Sequence, residues 1–227
     1  MKEEQGFYSF SKQTLKRLPY YYNYLKALQN DGVQNISAPV IAKSLNLNEV
    51  QVRKDLATVS ESGGKPKTGF KIEELIKCIE HCLGYDNIND AILIGSGKLG
   101  MALLSYTEFE NYGIRIVAAF DSDNHIIGTE IDGKPVFSME KLPDLCRRLN
   151  VHIGIITVPS QNAQSVCDML VKNGILAIWN FAPVHLVVPD HILVQNENMA
   201  VSLALLSKHL QERLANNKTT PRTEDIP

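Results

Sequence analysis

Apolar positions along the chain change their period once, near residue 85. Before it they recur at helical spacing. Leu18, Tyr21 or Tyr22, Leu25 and Leu28 form one stripe, ended by Asp31-Gly32. Val40, Ile41 and Leu45 form a second, and Val52, Leu56 and Val59 a third at i, i+4 and i+7. Leu75, Ile76, Ile79 and Leu83 form a fourth, closed by Gly84. Ser11 caps a short helix and Pro19 suits the first turn of the next. Ser37 is an N-cap ahead of Ala38-Pro39, Asn46 breaks that helix, and Asn48 caps the following one. The stretch SESGGKPKTGF (60–70) predicts a hairpin with a basic tip. After GYDNIND (84–90), short apolar runs at 91–95, 114–120, 135–137, 152–158, 175–180 and 192–196 predict strands. They alternate with amphipathic helices at 98–110, 139–149, 160–173 and 198–215. Continuous apolar strands between helices imply a parallel sheet covered on both faces.

The fold expected is therefore α/β: an N-terminal winged helix-turn-helix domain (1–84) and a C-terminal Rossmann-like parallel-sheet domain (85–197). A final helix (198–215) and a polar, disordered tail (216–227) follow. Composition adds little by itself: 44% apolar and 21% charged residues are ordinary for a globular protein. No apolar run is long enough to cross a bilayer. The N-terminal MKEEQGFYSF lacks the apolar core of a signal peptide, and four scattered cysteines suit a reducing cytosol. A cytoplasmic protein without a membrane partner is expected. The distribution of charge says more than the net value of −2. Residues 11–71 hold ten Lys and Arg against four acids, which leaves the rest of the chain at −8. A basic module is joined to an acidic one.

The basic module contains ISAPVIAKSLNLNEVQVRKDLATVS (36–60): a short helix, a tight turn and a second helix, with Ala42 small enough to let them cross closely. Gln51, Lys54, Asp55 and Thr58 are read as the face opposite Val52, Leu56 and Val59, with Arg53 at its edge. Such a helix fits the major groove, and Gln, Arg and Lys reach base edges or phosphates. Asp55 is read as a surface partner of Lys54 or Arg53 rather than a base reader. Ser37 and Lys43 flank this face, and Lys65 and Lys67 on the hairpin reach backbone phosphates as a wing does. A three-helix interaction domain with a solvated charged face is the competing reading.

The acidic module opens on ILIGSGKLGMALL (92–104), a strand running into Gly95-Ser96-Gly97-Lys98-Leu99-Gly100 and then a helical pattern. Gly95 permits the tight turn, Gly97 the approach of a pyrophosphate, and Gly100 close packing of helix on strand. Asp121 ends the next strand 21 residues after Gly100, near the spacing of a ribose-binding carboxylate, with Ser122 beside it. A carboxylate there favours NAD(H) over NADP(H). Lys98 either adds a phosphate contact or points to water. ITVPS (156–160) and NFAP (180–183) end two later strands and should line the crevice through Thr157, Val158, Pro159, Asn180, Phe181 and Ala182. A Rossmann-like domain that has lost its ligand is the alternative.

Hydride chemistry would need an acid or base and a substrate pocket. Histidines 125, 152, 185, 191 and 209 have no evident carboxylate orienter, no Tyr-x-x-x-Lys pair occurs in this half, and residues 90–197 are used up by the nucleotide fold. The chain is not expected to be an enzyme. Cys78 and Cys82, at i and i+4, are read as half-buried helix cysteines, and no metal is expected.

RLPYYYNYL (17–25), QVRKDL (51–56), GSGKLGMALLSY (95–106), AAFDSD (118–123), TVPSQNAQ (157–164) and NFAPVHLVVP (180–189), in this order, resemble the Rex family of redox-sensing transcriptional repressors. The resemblance runs to about residue 215. It implies a homodimer in which the final helix swaps onto the partner subunit, and Met199, Leu203, Leu206 and Leu210 make a stripe suited to that. It implies binding to an inverted-repeat operator in double-stranded DNA when NAD+ dominates, and release by NADH. Arg53 and Lys54 would contact DNA, Gly95 to Gly100 the pyrophosphate and Asp121 the adenosine ribose, while Tyr106 would join an interdomain switch. Two departures stand out. ATVSESGGKPKTGF (57–70) lacks the family's Ser-Tyr-Phe-Gly and its glycine-tyrosine wing, and Asn23 stands where members often carry arginine. A repressor reading coenzyme A or an adenine nucleotide, and a small NAD-dependent oxidoreductase, are the rival readings.

Overall fold

The structure is a computed structural model; it describes residues 10–60, 64 and 68–219. Two compact units divide the chain. One holds the residues through Ile88 together with Glu108–Ile114, and the other Asn89–Thr107 and the residues from Arg115 on.

In the first unit, α1 (Lys12–Asn30) is a single helix, where the sequence pattern predicts two. Ser11 caps it through its hydroxyl, and Pro19 lies inside. The proline removes one backbone hydrogen bond and costs about 3 kcal/mol. Burial of Leu18, Tyr21, Tyr22 and Leu25 along one face outweighs that. The strand β1 (Asn35–Ile36) precedes α2 (Ala38–Ser44), with Ser37 at the N-cap position but making no side-chain cap bond. Asn46, at φ 52°, turns the chain in the left-handed region. The Asn48 side chain then accepts from the Gln51 amide to start α3 (Glu49–Val59). After the predicted wing, β2 (Phe70–Lys71) pairs antiparallel with β1, and α4 (Ile72–Leu83) closes the bundle. Leu18, Tyr21, Leu25, Ile41, Val52, Leu56, Leu75 and Ile79 form the core. The last piece of this unit comes from beyond the next strand. The 3-10 turn Thr107–Tyr112 brings Tyr112 edge-on to Tyr85 at 5.2 Å, and Tyr85 edge-on to Tyr22 at 5.4 Å. Asn23 donates to the Tyr112 hydroxyl at 3.4 Å.

The second unit runs β3 (Asn89–Ile94), α5 (Lys98–Leu104), β4 (Ile114–Asp121), β5 (Glu130–Ile131), β6 (Lys134–Ser138), α6 (Leu142–Leu149), β7 (Ile153–Ile156), α7 (Ser160–Lys172), β8 (Ala177–Asn180), β9 (Leu193–Asn196) and α8 (Met199–Thr219). The sheet order is β5-β6-β4-β3-β7-β8-β9. Leaving out the short antiparallel β5, the order is that of a doubly wound dinucleotide-binding sheet, reversing direction between β3 and β7. Ile92, Ile94, Phe120, Ile156, Leu170 and Ile178 pack its core. Two predicted helices differ, and one hairpin is new. The helix expected over 98–110 stops at Leu104, and a 3-10 turn follows. The one expected over 139–149 begins as the 3-10 turn Met139–Lys141, and α6 proper starts at Leu142-Pro143. The short strand β5 pairs with β6 in a hairpin that the strand prediction does not include, although Asp132-Gly133, both at positive φ, is the signature of its tight turn.

The final helix α8 continues to Thr219, so residues 216–219 are helical rather than part of a disordered tail; 220–227 lie outside the described residues. Along α8, Met199, Leu203, Leu206, Leu210 and Leu214 are each more than half exposed. Among the described residues no helix is long and apolar enough to cross a membrane.

Candidate nucleotide cradle and nucleic-acid interface

The finger Gly95–Gly100 sits at the switch point, between the C-terminal ends of β3 and β7. Gly95 is at φ +100°, and a Cβ on it would stand 2.8 Å from a methyl of Val158. A Cβ on Gly100 would run into the Gly95 carbonyl oxygen, so the start of α5 closes directly on the turn. Gly97 is the opposite case: a Cβ there meets nothing within 4 Å. The space over the middle glycine is open. Ser96 is 2% exposed, and its Oγ is buried without a hydrogen-bond partner. A buried hydroxyl left unpaired is costly and rare. An orphan donor and acceptor beside an open backbone stretch is what a phosphate-bearing ligand would complete.

Asp121 closes the other lip. Its carboxylate accepts from the Ser96 amide of the finger and from the Ser122 and Asp123 amides of its own turn, the latter two at 2.7 and 3.0 Å. That ties the end of β4 to the finger. Most of the other predicted cradle residues are builders of the turns rather than exposed groups. Thr157 spends its hydroxyl on the carbonyls of Ile94 and Gly95, at 3.0 and 2.6 Å. Pro159 stands at the N-cap of α7. The side chain of Asn180 is fully buried, donating to the carbonyls of Ala182 and Val184 and to Asn196 while accepting from the Ala182 amide. Ala182 is buried as well. Phe181 lies half-buried against Trp179, ring centroids 4.6 Å apart, a contact that nothing in the sequence pattern marks. Lys98 and Ser122 are exposed, Leu99 is partly buried, and Tyr106 is half exposed. No group of three or more His, Cys, Asp or Glu side chains suited to a metal occurs among the described residues.

In the first unit the largest correction concerns Asp55. It is buried, 2% exposed, and not a surface partner of Lys54 or Arg53. Oδ1 accepts from Thr14 at 3.2 Å, Arg17 at 3.0 Å and Gln51 at 3.0 Å; Oδ2 accepts from Arg17 at 2.7 Å and Tyr21 at 2.8 Å. Burial opposes ionisation, but the bonds from Arg17, Tyr21 and Gln51 outweigh it and hold the carboxyl below the usual range. The Tyr21 hydroxyl is pushed up in turn, by burial first and then by Asp55. With five donors around it the carboxylate is saturated. The missed signal was spacing: Asp55 stands three residues after Val52 and four before Val59, on the buried side of α3.

The other residues expected on that face differ in exposure. Lys54 and Thr58 are exposed, and Thr58 donates to the Lys54 carbonyl at 2.9 Å. Arg53, also exposed, pairs with Glu49 one turn earlier. An exposed i,i+4 pair of this kind contributes a few tenths of a kcal/mol, about 0.3–0.5, so the guanidinium exchanges readily to a better anion. Gln51 is half-buried, Lys43 exposed in the last turn of α2, and Ser37 partly buried. Lys65 and Lys67 lie outside the described residues.

Comparison with known proteins agrees with both halves. Residues 10–57 match a family described as "putative DNA-binding protein N-terminus", and residues 86–184 one described as "CoA binding domain". The chain is 43% identical over 193 residues to the redox-sensing transcriptional repressor Rex of Treponema denticola, covering 85% of this chain and 91% of that one. Rex of Bacteroides thetaiotaomicron is 39% identical over 197 residues, covering 87% and 89%. Among solved structures, RSP in complex with beta-NAD+ and operator DNA superposes with a TM-score of 0.84 at 34% identity, over 94% of this chain and 98% of that one. RSP in complex with beta-NADH gives 0.81 at 34% identity, over 93% and 99%. The relatives are repressors by name, which sets aside the oxidoreductase reading. This chain belongs to the Rex family of redox-sensing transcriptional repressors.

Proposed function

We propose that the protein binds an inverted-repeat operator through α3 and the wing, holds NAD(H) at the β3–β7 switch point, and leaves its operator as NADH rises over NAD+. The observation that carries the ligand half is the open space over Gly97 beside the buried, unpartnered Ser96 Oγ. Gly95 to Gly100 would hold the pyrophosphate, with Lys98 above it. Asp121 would take the adenosine ribose, with Ser122 beside it. Thr157, Val158, Pro159, Asn180, Phe181 and Ala182 would shape the nicotinamide side. A bound dinucleotide supplies the redox signal; the chain's own groups bind it and favour one of two spacings of the heads. Tyr106, on the segment leaving α5, is the proposed switch residue. On the DNA side, Arg53 and Lys54 would reach base edges or phosphates, with Ser37, Lys43, Gln51, Thr58, Lys65 and Lys67 around them.

The exposed apolar stripe of α8 supports a homodimer in which this helix packs on a second copy, as two half-sites require. The wild-type chain should therefore scatter light with twice the mass of one chain. Leu206→Asp should bring it toward the single-chain value and weaken operator binding; a dimer that survives the change would place the interface elsewhere.

The direct test is an operator gel shift at fixed salt with NAD+, NADH or coenzyme A added. Release by NADH alone supports the reading. Release by coenzyme A but not NADH would favour the ligand class named by the 86–184 match. Lys54→Ala should weaken operator binding about tenfold and lower the salt slope by about one, with NADH affinity unchanged. Loss of NADH binding in that variant would contradict the assignment of α3.

A further inference from the structure

Gln51 stands in the first turn of α3, where a recognition helix meets base edges, and the protein fixes its amide from behind. The amide meets Oδ1 of Asp55 at 3.0 Å. A carboxylate accepts and cannot donate, so the end of the amide turned inward is the NH2 and the end turned away is Oε1. Asp55 cannot swing aside, since Arg17, Tyr21 and Thr14 hold it as well. Flipping the Gln51 amide would set Oε1 against that carboxylate and forfeit a charge-assisted bond.

We infer that Asp55 orients Gln51 so that its Oε1 reads the operator as an acceptor, selecting adenine or cytosine at one position of each half-site against guanine and thymine. Adenine N6 and cytosine N4 are the amino donors of the major groove; guanine and thymine present N7, O6 and O4 acceptors there. Of the neighbouring groups, Arg53 and Lys54 only donate, while Thr58, its hydroxyl hydrogen spent on the Lys54 carbonyl, offers a second acceptor further along α3 that nothing among the described residues orients as Asp55 orients Gln51. Gln51 is the specificity residue and Asp55 its positioning residue. The inference rests on α3 entering the groove, as proposed above.

The test is selection from a randomised half-site by the full-length protein at fixed salt, followed by competition gel shifts. The wild type should enrich adenine or cytosine at one position, with guanine there costing about tenfold in affinity. Gln51→Ala should flatten that position alone. Gln51→Lys, which presents only donors, should turn its preference to guanine. In Asp55→Asn the neighbouring amide both donates and accepts, so Gln51 is free to flip and the guanine penalty should shrink to within about threefold. A merely structural Asp55 would change overall affinity and leave the base preference as it was. If Gln51→Ala leaves the selected motif intact, the inference fails while the DNA-binding reading stands. If the wild type enriches no motif at all, the reading of α3 fails with it.

Discussion

Gly97→Val is expected to cost about 100-fold in NADH affinity, roughly 3 kcal/mol, while the melting temperature stays that of the wild type. The two halves of this expectation come from one geometric feature. A Cβ at position 97 meets nothing within 4 Å, so the folded protein accommodates the side chain. The same empty volume is where a pyrophosphate has to approach the backbone, and a valine fills it. Gly100→Ala makes the contrast, because its Cβ collides with the Gly95 carbonyl and neither backbone segment has room to yield. That variant should lose about 3 kcal/mol of stability, with any loss of NADH binding secondary to it. Calorimetric titration alongside thermal melting separates the cases. NADH affinity unchanged in Gly97→Val would put the ligand somewhere other than this finger.

Asp55→Ala should destabilise the first unit by about 3 kcal/mol, among the larger effects a single substitution can have. It leaves four side chains that had donated to one carboxylate, Thr14, Arg17, Tyr21 and Gln51, with their hydrogens unplaced. Its signature is also one of pH. The folded protein holds the Asp55 carboxyl below the usual value, so this contribution is fully present above the unfolded pKa of about 3.9 and is lost as pH falls through the lower folded value. Wild-type stability should fall on acidification from pH 5 to 3, and the variant should lack that part of the slope. Urea unfolding can follow the units separately, since the only tryptophan, Trp179, lies in the second unit and most tyrosines lie in the first. A slope unchanged by the substitution would mean that the carboxylate does not hold α1 to α3.

The alternation of strands and helices after residue 90 was legible because each element carries its own period, and the glycine spacing marked the turn at which the sheet reverses. Legibility ended wherever a residue answers to something distant. Pro19 looks like the start of a helix because local chemistry makes it good there, yet the apolar stripe from Leu18 to Leu25 carries the helix through it. Asp55 looks like a surface charge because its partner Arg17 stands 38 residues earlier, even though its spacing from Val52 and Val59 already faced it inward. The sequence places Asn180 at the lip of the crevice, but does not show that its side chain goes into building the turn that follows it. In the cradle, what was readable was which backbone positions lack side chains; which hydroxyl would be left unpaired was not.

The first unit borrows its last piece, Glu108–Ile114, from beyond the glycine finger. On a ribosome this sets an order of events. When the first 88 residues have emerged, Tyr85 has no Tyr112 ring against its edge and Asn23 has no phenol to meet. The apolar core from Leu18 to Ile79 is complete in the chain by then, and the contacts of Tyr112 are added to it only after the first strand and finger of the neighbouring unit have been synthesised.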